Sequence, residues 1–415
     1  MKYYLVGIKG TGMSSLAKML KENNYEVIGS DVKEYYFTVD NLEKYKIPIL
    51  PFDRKNITDE YYYIIGNAYN NDNIEVNEII KKNLPYAYYH DFIGKELNKD
   101  IIACSGTHGK TTTSYFLKEM LDEKCNYIIG DGEGGGYSND ILVLEACEYK
   151  EHFLSYHPKW LIINNIELDH TDYYKTKKQL LNAFQKFANL SDTILVNGDD
   201  QNAKKIKHDK KLSFGFNKKN DIVIKILSTT SKGYYVKLIY EENLYLFIPY
   251  LGKHMIYDYV ASYMSLYILG YKPKELVNNE LPRRRLTTYQ YKKAICIDDY
   301  AHHPTEIKAL YETLKLTYPN TCIKVIFQPH TYERTIYFKK RFKSVLNLFD
   351  EVYLLDVFTS KREKENIHLQ QKIDKYFEKF KKISELDFCS IGKKREIWLF
   401  LGAGSANKIL HDLCT

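Results

Sequence analysis

The residues from Gly106 to Thr113, GTHGKTTT, carry the plainest chemistry in this chain. An apolar run, Ile101-Ile102-Ala103-Cys104, precedes them and reads as a buried strand. Phe116, Leu117, Met120 and Leu121 follow on one face of a helical pattern. Strand, glycine-containing loop, Lys-Thr and helix together make a phosphate-binding loop. Loop amides and a helix N-terminus point at an anion, and Gly106 and Gly109 let the backbone come close. Lys110 can reach the outer phosphates, and the Thr111 hydroxyl is placed to bind a magnesium ion. The loop is shorter than the common G-x-x-x-x-G-K-[ST] form.

Six other strand ends carry residues of the same kind. Gly7-Ile8-Lys9-Gly10-Thr11-Gly12 closes the first strand and opens a helix. Its spacing reverses the dinucleotide fingerprint, but a helix N-terminus there can still hold a diphosphate. Asp31 follows at the end of the next strand, where an acid often meets a ribose. Glu145, after Ile141-Leu142-Val143-Leu144, stands where a phosphate-loop protein keeps a magnesium-binding acid. Asn164 to Asp172 contains Asp169-His170, a pair compatible with a second metal site. Asp298-Asp299-Tyr300-Ala301-His302-His303-Pro304 places two acids and two histidines at the start of a helix. Packing rarely needs such a set, although Asp299 could serve as a cap. His330 to Arg334 ends a further strand, where Arg334 could clamp a carboxylate.

These residues need a scaffold of alternating strands and helices. Lys2–Val6, Glu26–Ser30 and Tyr62–Gly66 read as strands, with Met13, Leu16, Ala17 and Leu20 on a helix face between them. The βαβ pattern predicts a parallel sheet. A second unit holds the phosphate loop and strands at Ile141–Glu145, Leu161–Asn165 and Thr193–Asn197. Ile222 to Pro249 alternates, with a turn near Glu241–Asn243, and predicts an antiparallel hairpin at the sheet edge. A third unit follows the basic turn Arg283-Arg284-Arg285, with strands at Ala294–Asp298, Ile323–Phe327, Val352–Asp356 and Glu396–Leu401. Ile307, Leu310, Tyr311 and Leu314 mark a helix opened by Pro304. The lysine-rich run from Lys361 to Lys382 reads as a solvated helical face.

Composition excludes several classes. A length of 415 residues calls for two or three domains. No apolar run approaches 20 residues, so no membrane span is expected. Met1 to Gly7 is already strand-like and shows no secretory core, which makes the cytoplasm the expected location. Seven cysteines lie singly, without metal-type pairs, and predict reduced, mostly buried thiols. Cys104, Cys147, Cys296 and Cys322 fall in strand-like stretches and read as packing residues. A net charge of +7 favours an anionic substrate, and no motif supports nucleic acid. The 39 tyrosines, with abundant Lys, Ile and Asn, reflect an AT-rich coding bias.

In this order the motifs resemble the Mur ligases, in the alanine-adding form common in Gram-positive bacteria. VGIKGTGMS from Val6, GTHGKTTT from Gly106 and EACEYKEHFLSYHP from Glu145 carry the likeness. DDYAHHPTEI from Asp298, FQPHTYERT from Phe327 and FLGAG from Phe400 extend it over the whole chain. The resemblance implies an α/β protein of three domains. Residues 1–98 would form a Rossmann-like parallel sheet for a UDP sugar. Residues 99–282 would form a phosphate-loop ATPase sheet with an antiparallel edge. Residues 283–415 would form a second Rossmann-like sheet for an amino acid. The implied reaction spends ATP to join L-alanine to the lactyl carboxylate of UDP-N-acetylmuramate through an acyl phosphate, in cytoplasmic peptidoglycan precursor synthesis.

The resemblance also distributes roles. Gly106, Thr107, His108, Gly109, Lys110, Thr111 and Thr112 would hold the nucleotide phosphates, with His254 at the base and Asp299 at the ribose. Thr111 and Glu145 would bind one Mg2+ and His170 a second. Arg285 would touch phosphate as the third domain closes. Gly10, Thr11, Gly12 and Asp31 would line the UDP site, and His330, His303 and Arg334 would surround the alanine. Catalytic work would fall to Lys110, His170, His303 and Arg334. No nucleic acid or membrane partner is implied, and oligomeric state stays open.

Departures from the family are specific. Gly252-Lys253-His254-Met255-Ile256-Tyr257-Asp258 keeps the glycine and histidine of G-x-H-N-x-x-N but neither asparagine. An ionised Asp258 only accepts hydrogen bonds, and Met255 offers almost nothing. Leu286 replaces the usual phenylalanine, and Ser405 replaces an acid after GAG. Phe184 stands where other Mur ligases carry a carbamylated lysine, in keeping with the alanine-adding branch. Two other readings compete. One is a recycling ligase that joins a tripeptide to the same sugar, but Glu151 to Pro158 lacks that group's longer insertion. The other is a Mur-like protein that binds UDP sugar without catalysis, against which Lys110, Thr111, Glu145 and His170 all stand intact. An NAD-dependent dehydrogenase would rest only on the misspaced N-terminal glycines.

Overall fold

The computed structural model describes every residue except Tyr35, Asn98, Asn278, Asn279, Ser360, Lys361, Arg362, Lys364 and Thr415. Among the described residues the chain builds three sheets. The first comprises β1 (Lys2–Val6), β2 (Glu26–Asp31), β3 (Ile49–Pro51), β4 (Tyr62–Ile65) and β5 (Tyr86–Tyr88). All pair in parallel, in the order β3-β2-β1-β4-β5. Tyr4, Leu5 and Val6 are buried on both faces, as a strand covered by helices on each side must be. The order reverses at β1, so a crevice opens at the carboxyl end of that strand, where the Gly7–Gly12 turn lies.

The second sheet comprises β6 (Asp100–Ser105), β7 (Asn126–Ile128), β8 (Gly134–Gly135), β9 (Ile141–Glu145) and β10 (Trp160–Ile163). It continues through β11 (Ile194–Asn197), β12 (Lys211–Gly215), β13 (Ile222–Thr230), β14 (Gly233–Ile239) and β15 (Asn243–Ile248). The order is β15-β14-β13-β12-β11-β10-β6-β9-β7-β8. Strands β13, β14 and β15 pair antiparallel as a meander of three, where alternation predicted one hairpin. The extra turn at Ser231-Lys232 went unread because Lys225 to Thr230 runs past the core and is exposed. The helix Lys110–Met120 packs Phe116 and Leu117 against Tyr259 and Val260 of the helix Lys253–Ile268. On the other face Phe153 stacks on Phe187 at 4.4 Å and meets Phe184 edge-on at 5.5 Å.

The third sheet comprises β16 (Thr287–Tyr291), β17 (Ala294–Asp299), β18 (Ile323–Phe327), β19 (Glu351–Leu354), β20 (Lys381–Lys382) and β21 (Ile397–Leu401). Its order is β16-β17-β21-β18-β19-β20, parallel except for β16. The strand β16 is polar and mostly exposed, and so gave no periodic signal. The lysine-rich run begins partly outside the described residues. Within them, the helix Ile367–Tyr376 buries only Ile373.

Cysteine burial departs from expectation. Cys104, Cys125 and Cys296 are buried, but Cys147, Cys322, Cys389 and Cys414 are exposed. Cys147 and Cys322 lie just outside β9 and β18, where the chain turns toward solvent. Among the described residues, no helix is long and apolar enough to cross a membrane.

The first module grips the second through the helix Thr11–Glu22. The Ser15 hydroxyl donates to the Ile129 carbonyl at 2.9 Å, and Asn23 Nδ2 donates to Asn126 Oδ1 at 2.8 Å. Gly134 lies so close that a Cβ there would sit 1.9 Å from the Ser15 carbonyl oxygen. Gly134→Ala should therefore destabilise the protein by about 1–3 kcal/mol through overpacking, measured as a lower midpoint in urea unfolding.

Candidate active site

The phosphate loop turns on two glycines at positive φ, Gly106 at 139° and Gly109 at 83°. A Cβ on Gly109 would stand 2.5 Å from Asp258 Oδ1, so both conformation and space demand glycine. Asn165 holds the loop from both sides. Its Oδ1 accepts from the His108 amide at 2.8 Å, and its Nδ2 donates to the His108 carbonyl at 2.9 Å. Thr107 Oγ1 donates to the Glu167 carbonyl at 2.8 Å. Asn164 Nδ2 donates to Thr113 Oγ1 at 2.7 Å and lies 3.3 Å from Asp258. The amides at the start of the helix Lys110–Met120 are thereby fixed toward one side.

Lys110 Nζ donates to the Gly106 carbonyl at 2.6 Å and to Glu148 Oε2 at 3.0 Å. Burial is the largest influence and opposes its charge, but Glu148, Cys147 and Glu145 together outweigh it and raise the ammonium's pKa. His170 Nε2 lies 3.6 Å from the other Glu148 oxygen. Cys147, Glu148 and His170 hold three donor atoms within 4.8 Å of one another. A buried carboxylate beside an imidazole, at the rim of a phosphate loop, fits a divalent cation. Glu145 stands one turn of chain earlier, where its Oε2 accepts from the Gly130 amide at 2.7 Å. Glu148 is the acid that sequence reading passed over. It lies beyond the strand, where no periodicity marks it, and the Tyr174 hydroxyl fixes it by donating to its carbonyl at 2.6 Å.

The third module lies directly across this loop. His303 caps the helix Pro304–Thr317, accepting from the Thr305 amide, while Glu306 accepts from the His302 and His303 amides. His108 reaches up between two carboxylates, with Nδ1 3.2 Å from Glu306 Oε1 and Nε2 3.3 Å from Glu167 Oε2. Thr305 Oγ1 donates to Glu167 Oε2 at 2.6 Å, and Arg341 lies 2.7 Å from Glu167 Oε1. Arg334 forks onto Asp169, with Nε to Oδ1 at 2.8 Å and Nη2 to Oδ2 at 3.0 Å. His330 Nδ1 lies 2.8 Å from Arg334 Nη1. Arg334 thus clamps a carboxylate of this chain's own central module.

Charge follows from these partners. Burial disfavours a charged His108, yet Glu306 and Glu167 raise the ring to about 9. Burial also resists ionisation of Glu306 and Asp169, but His108 and Arg334 respectively hold them well below the ordinary range. Burial lowers His302 to about 4 and His303 to about 3, so both are neutral at pH 7. Asp299 accepts from the Leu286 and Ala301 amides at 2.9 and 2.8 Å, and burial raises it to about 6. Arg285 stays charged against burial because Glu306 and Asp299 face it. Burial keeps His254 neutral, lowered to about 4, and pushes Asp258 up to about 7.

In the first module Gly10 caps the helix that Thr11 and Gly12 begin. A Cβ on Gly12 would stand 2.7 Å from the Tyr89 hydroxyl. Asp31 accepts from the Lys9 and Val32 amides at 2.7 and 2.8 Å and from the Tyr69 hydroxyl at 2.8 Å.

Three family sequence models match in succession. They are the Mur ligase family catalytic domain over residues 2–100, the Mur ligase middle domain over 104–266, and the Mur ligase glutamate ligase domain over 284–404. A UDP-N-acetylmuramate–L-alanine ligase of Streptococcus thermophilus is 37% identical, covering 97% of this chain and 95% of that protein. The chain belongs to the Mur ligase family. A second relative of the same name, from Lactococcus lactis, is 36% identical over 98% of this Mur ligase and 95% of its own length. The crystal structure of a UDP-N-acetylmuramate–alanine ligase from Thermotoga maritima superposes with a TM-score of 0.79 at 25% identity, covering 99% of each chain. A murein peptide ligase from Psychrobacter arcticus shares the fold, with a TM-score of 0.73 at 19% identity, covering 100% of this chain and 98% of that one.

Within this Mur ligase several departures acquire a setting. Phe184 is fully buried among aromatic rings. The Ser405 amide donates to Gln328 Oε1 at 2.5 Å. Asp258 lies 3.3 Å from Asn164 Nδ2, and burial raises its carboxyl to about 7.

The joint between modules should respond to pH. His108 has a raised pKa in the folded protein, so its contribution is fully present below about 6.5 and is lost as pH rises through about 9. The unfolding temperature of the wild type should fall across that window. Glu306→Gln should flatten the fall, and an unchanged profile would refute the pairing.

Proposed function

We infer that this chain is an ATP-dependent ligase that joins L-alanine to the lactyl carboxylate of UDP-N-acetylmuramate. The observation that carries this reading is the full-length likeness to ligases of that name, together with a phosphate loop roofed by the third module. We assign residues 1–98 to the UDP sugar, 99–282 to ATP and 283–415 to the amino acid. Work on UDP-sugar precursors with ATP as co-substrate supports the cytoplasm as its location.

The chemistry needs negative charge neutralised on a transferring phosphoryl group. Lys110 is charged and close-held, and can exchange Glu148 for phosphate oxygens. Amides from His108 to Thr112 supply the anion cradle. Arg285 adds a further positive charge beside the loop. Bound magnesium would neutralise phosphate charge, and Thr111, Glu145, Glu148 and His170 are the residues we assign to hold it.

The sugar carboxylate attacks the γ-phosphorus of ATP, releasing ADP and forming an acyl phosphate; the alanine amine then attacks its carbonyl and loses a proton as phosphate leaves. An acyl phosphate hydrolyses if wetted, so water must be excluded. The contacts of His108, Thr305, Arg334 and Arg341 close the roof that does this. His302 and His303, held neutral, do not repel an incoming amine. Gly10, Thr11, Gly12 and Asp31 shape the crevice we assign to UDP, and His254 and Asp299 the nucleoside side of ATP. His330, His303 and Arg334 border the space assigned to alanine.

Purified protein should release phosphate from ATP only when UDP-N-acetylmuramate and L-alanine are both present. Turnover with a tripeptide in place of alanine would favour a recycling ligase, and none with any acceptor would favour a binding protein. Lys110→Ala should abolish turnover while leaving sugar-nucleotide binding intact by calorimetry. Loss of both together would count against separate sites.

A further inference from the structure

The thiol of Cys147 has no part in the reaction above, yet it stands at its edge. Strand β9 ends at Glu145, and the chain then turns so that Ala146 is buried, Cys147 is exposed and Glu148 is buried again. The turn brings the sulfur beside the two side chains that frame the base of the phosphate loop. The Cys147, Glu148 and His170 donor atoms all lie within 4.8 Å of one another. Two of the three are rigidly placed. Glu148 is tied through its carbonyl to Tyr174 and through its carboxylate to Lys110. His170 sits at φ 50°, its amide donating to Asp169 Oδ1 at 2.7 Å, while Asp169 is locked by Arg334.

We propose that Cys147, Glu148 and His170 form a binding site for a soft divalent cation of the zinc or cadmium class. The donor types decide the class. Magnesium takes oxygen ligands in octahedral geometry and gains nothing from sulfur. Thiolate, imidazole and carboxylate together suit zinc-like ions, and three protein ligands leave a fourth position for water. The exposure of residue Cys147 gives the ion an entry from solvent, although burial raises the sulfur's pKa, and the buried carboxylate gives the ion a fixed end point.

A second trio, His108, Glu167 and His303, is equally close. There both carboxylate oxygens are already engaged, by Arg341 and by Thr305 and His108. At the Cys147 site Glu148 is ion-paired with Lys110, and Lys110 must leave Glu148 in any case to meet phosphate.

The consequence is competition. A soft cation held by Glu148 and His170 takes two of the residues assigned to magnesium. The site does not depend on the ligation reaction, and the cobalt titration that reports it is made without substrates; ATP enters only to test the competition.

Cobalt(II) reports the site directly. Titration of the full-length protein with Co2+ should produce a sulfur-to-cobalt charge-transfer absorption that saturates at one equivalent and is bleached by Zn2+. Cys147→Ser should lose the band and weaken Co2+ binding by about tenfold or more. His170→Asn should weaken binding while keeping the sulfur band at higher Co2+. Because Cys147 is exposed, its substitution should leave the urea midpoint unchanged, and Cys147→Ala provides a second check. Absence of the band in wild type overturns the proposal. So does its persistence in Cys147→Ser, which would place the sulfur ligand at another exposed cysteine. Saturating Mg-ATP should weaken Co2+ binding at least about tenfold, and an unchanged affinity would overturn the sharing of Glu148 and His170. Phosphate release in cobalt-free buffer tests the ligase reading separately.

Discussion

Arg334 reaches from the third module to close a two-pronged hydrogen bond on Asp169 of the second, and both side chains are buried. Taking two charges out of water is costly, so such a pair survives only with good geometry and further partners. Asp169 also accepts from the His170 amide, and His330 lies against the guanidinium. The pair therefore fixes His170 and His330 at once. His108 repeats the device within the same joint, held between Glu167 and Glu306 from different modules. The phosphate loop and the helix Pro304–Thr317 become opposite walls of one cleft.

The cleft is thereby filled with internal ion pairs. Lys110 rests on Glu148, Arg334 on Asp169 and His108 on two carboxylates. Each positive group is close-held and charged, and each carboxylate occupies a place that an anionic ligand could contest. Such an arrangement keeps the cations oriented and spares them from ordering when phosphate arrives, which is the physical content of preorganisation. The burial that lowers His303, whose ring lies 4.8 Å from that of His108, belongs to the same joint.

Much of this was legible from residue order. The phosphate loop, the three α/β modules and the helix behind Pro304 all declare themselves through period and spacing, because each depends on neighbours close in the chain. The cluster at Asp298 to His303 was also visible, although the fold uses much of it locally. Asp298 pairs with Arg284, Asp299 caps two amides, and His303 caps a helix. Less visible were Glu148, Glu167 and Glu306. They lie outside strands or inside a cap, where no pattern distinguishes a buried acid from a solvated one. Cys147 was misread for the same reason, since a strand-like run gives no sign of where it stops.

By itself the sequence determined which modules form and which side chains could bind phosphate, because backbone hydrogen bonding and apolar periodicity are local. Only the tertiary structure decided which acid meets Lys110, that Arg334 meets Asp169, and which histidines carry charge. Those outcomes depend on distances between residues up to 198 positions apart, as His108 and Glu306 are, and on the water excluded between them. Desolvation and pairing act through space, and nothing in the order of residues encodes them until the modules close.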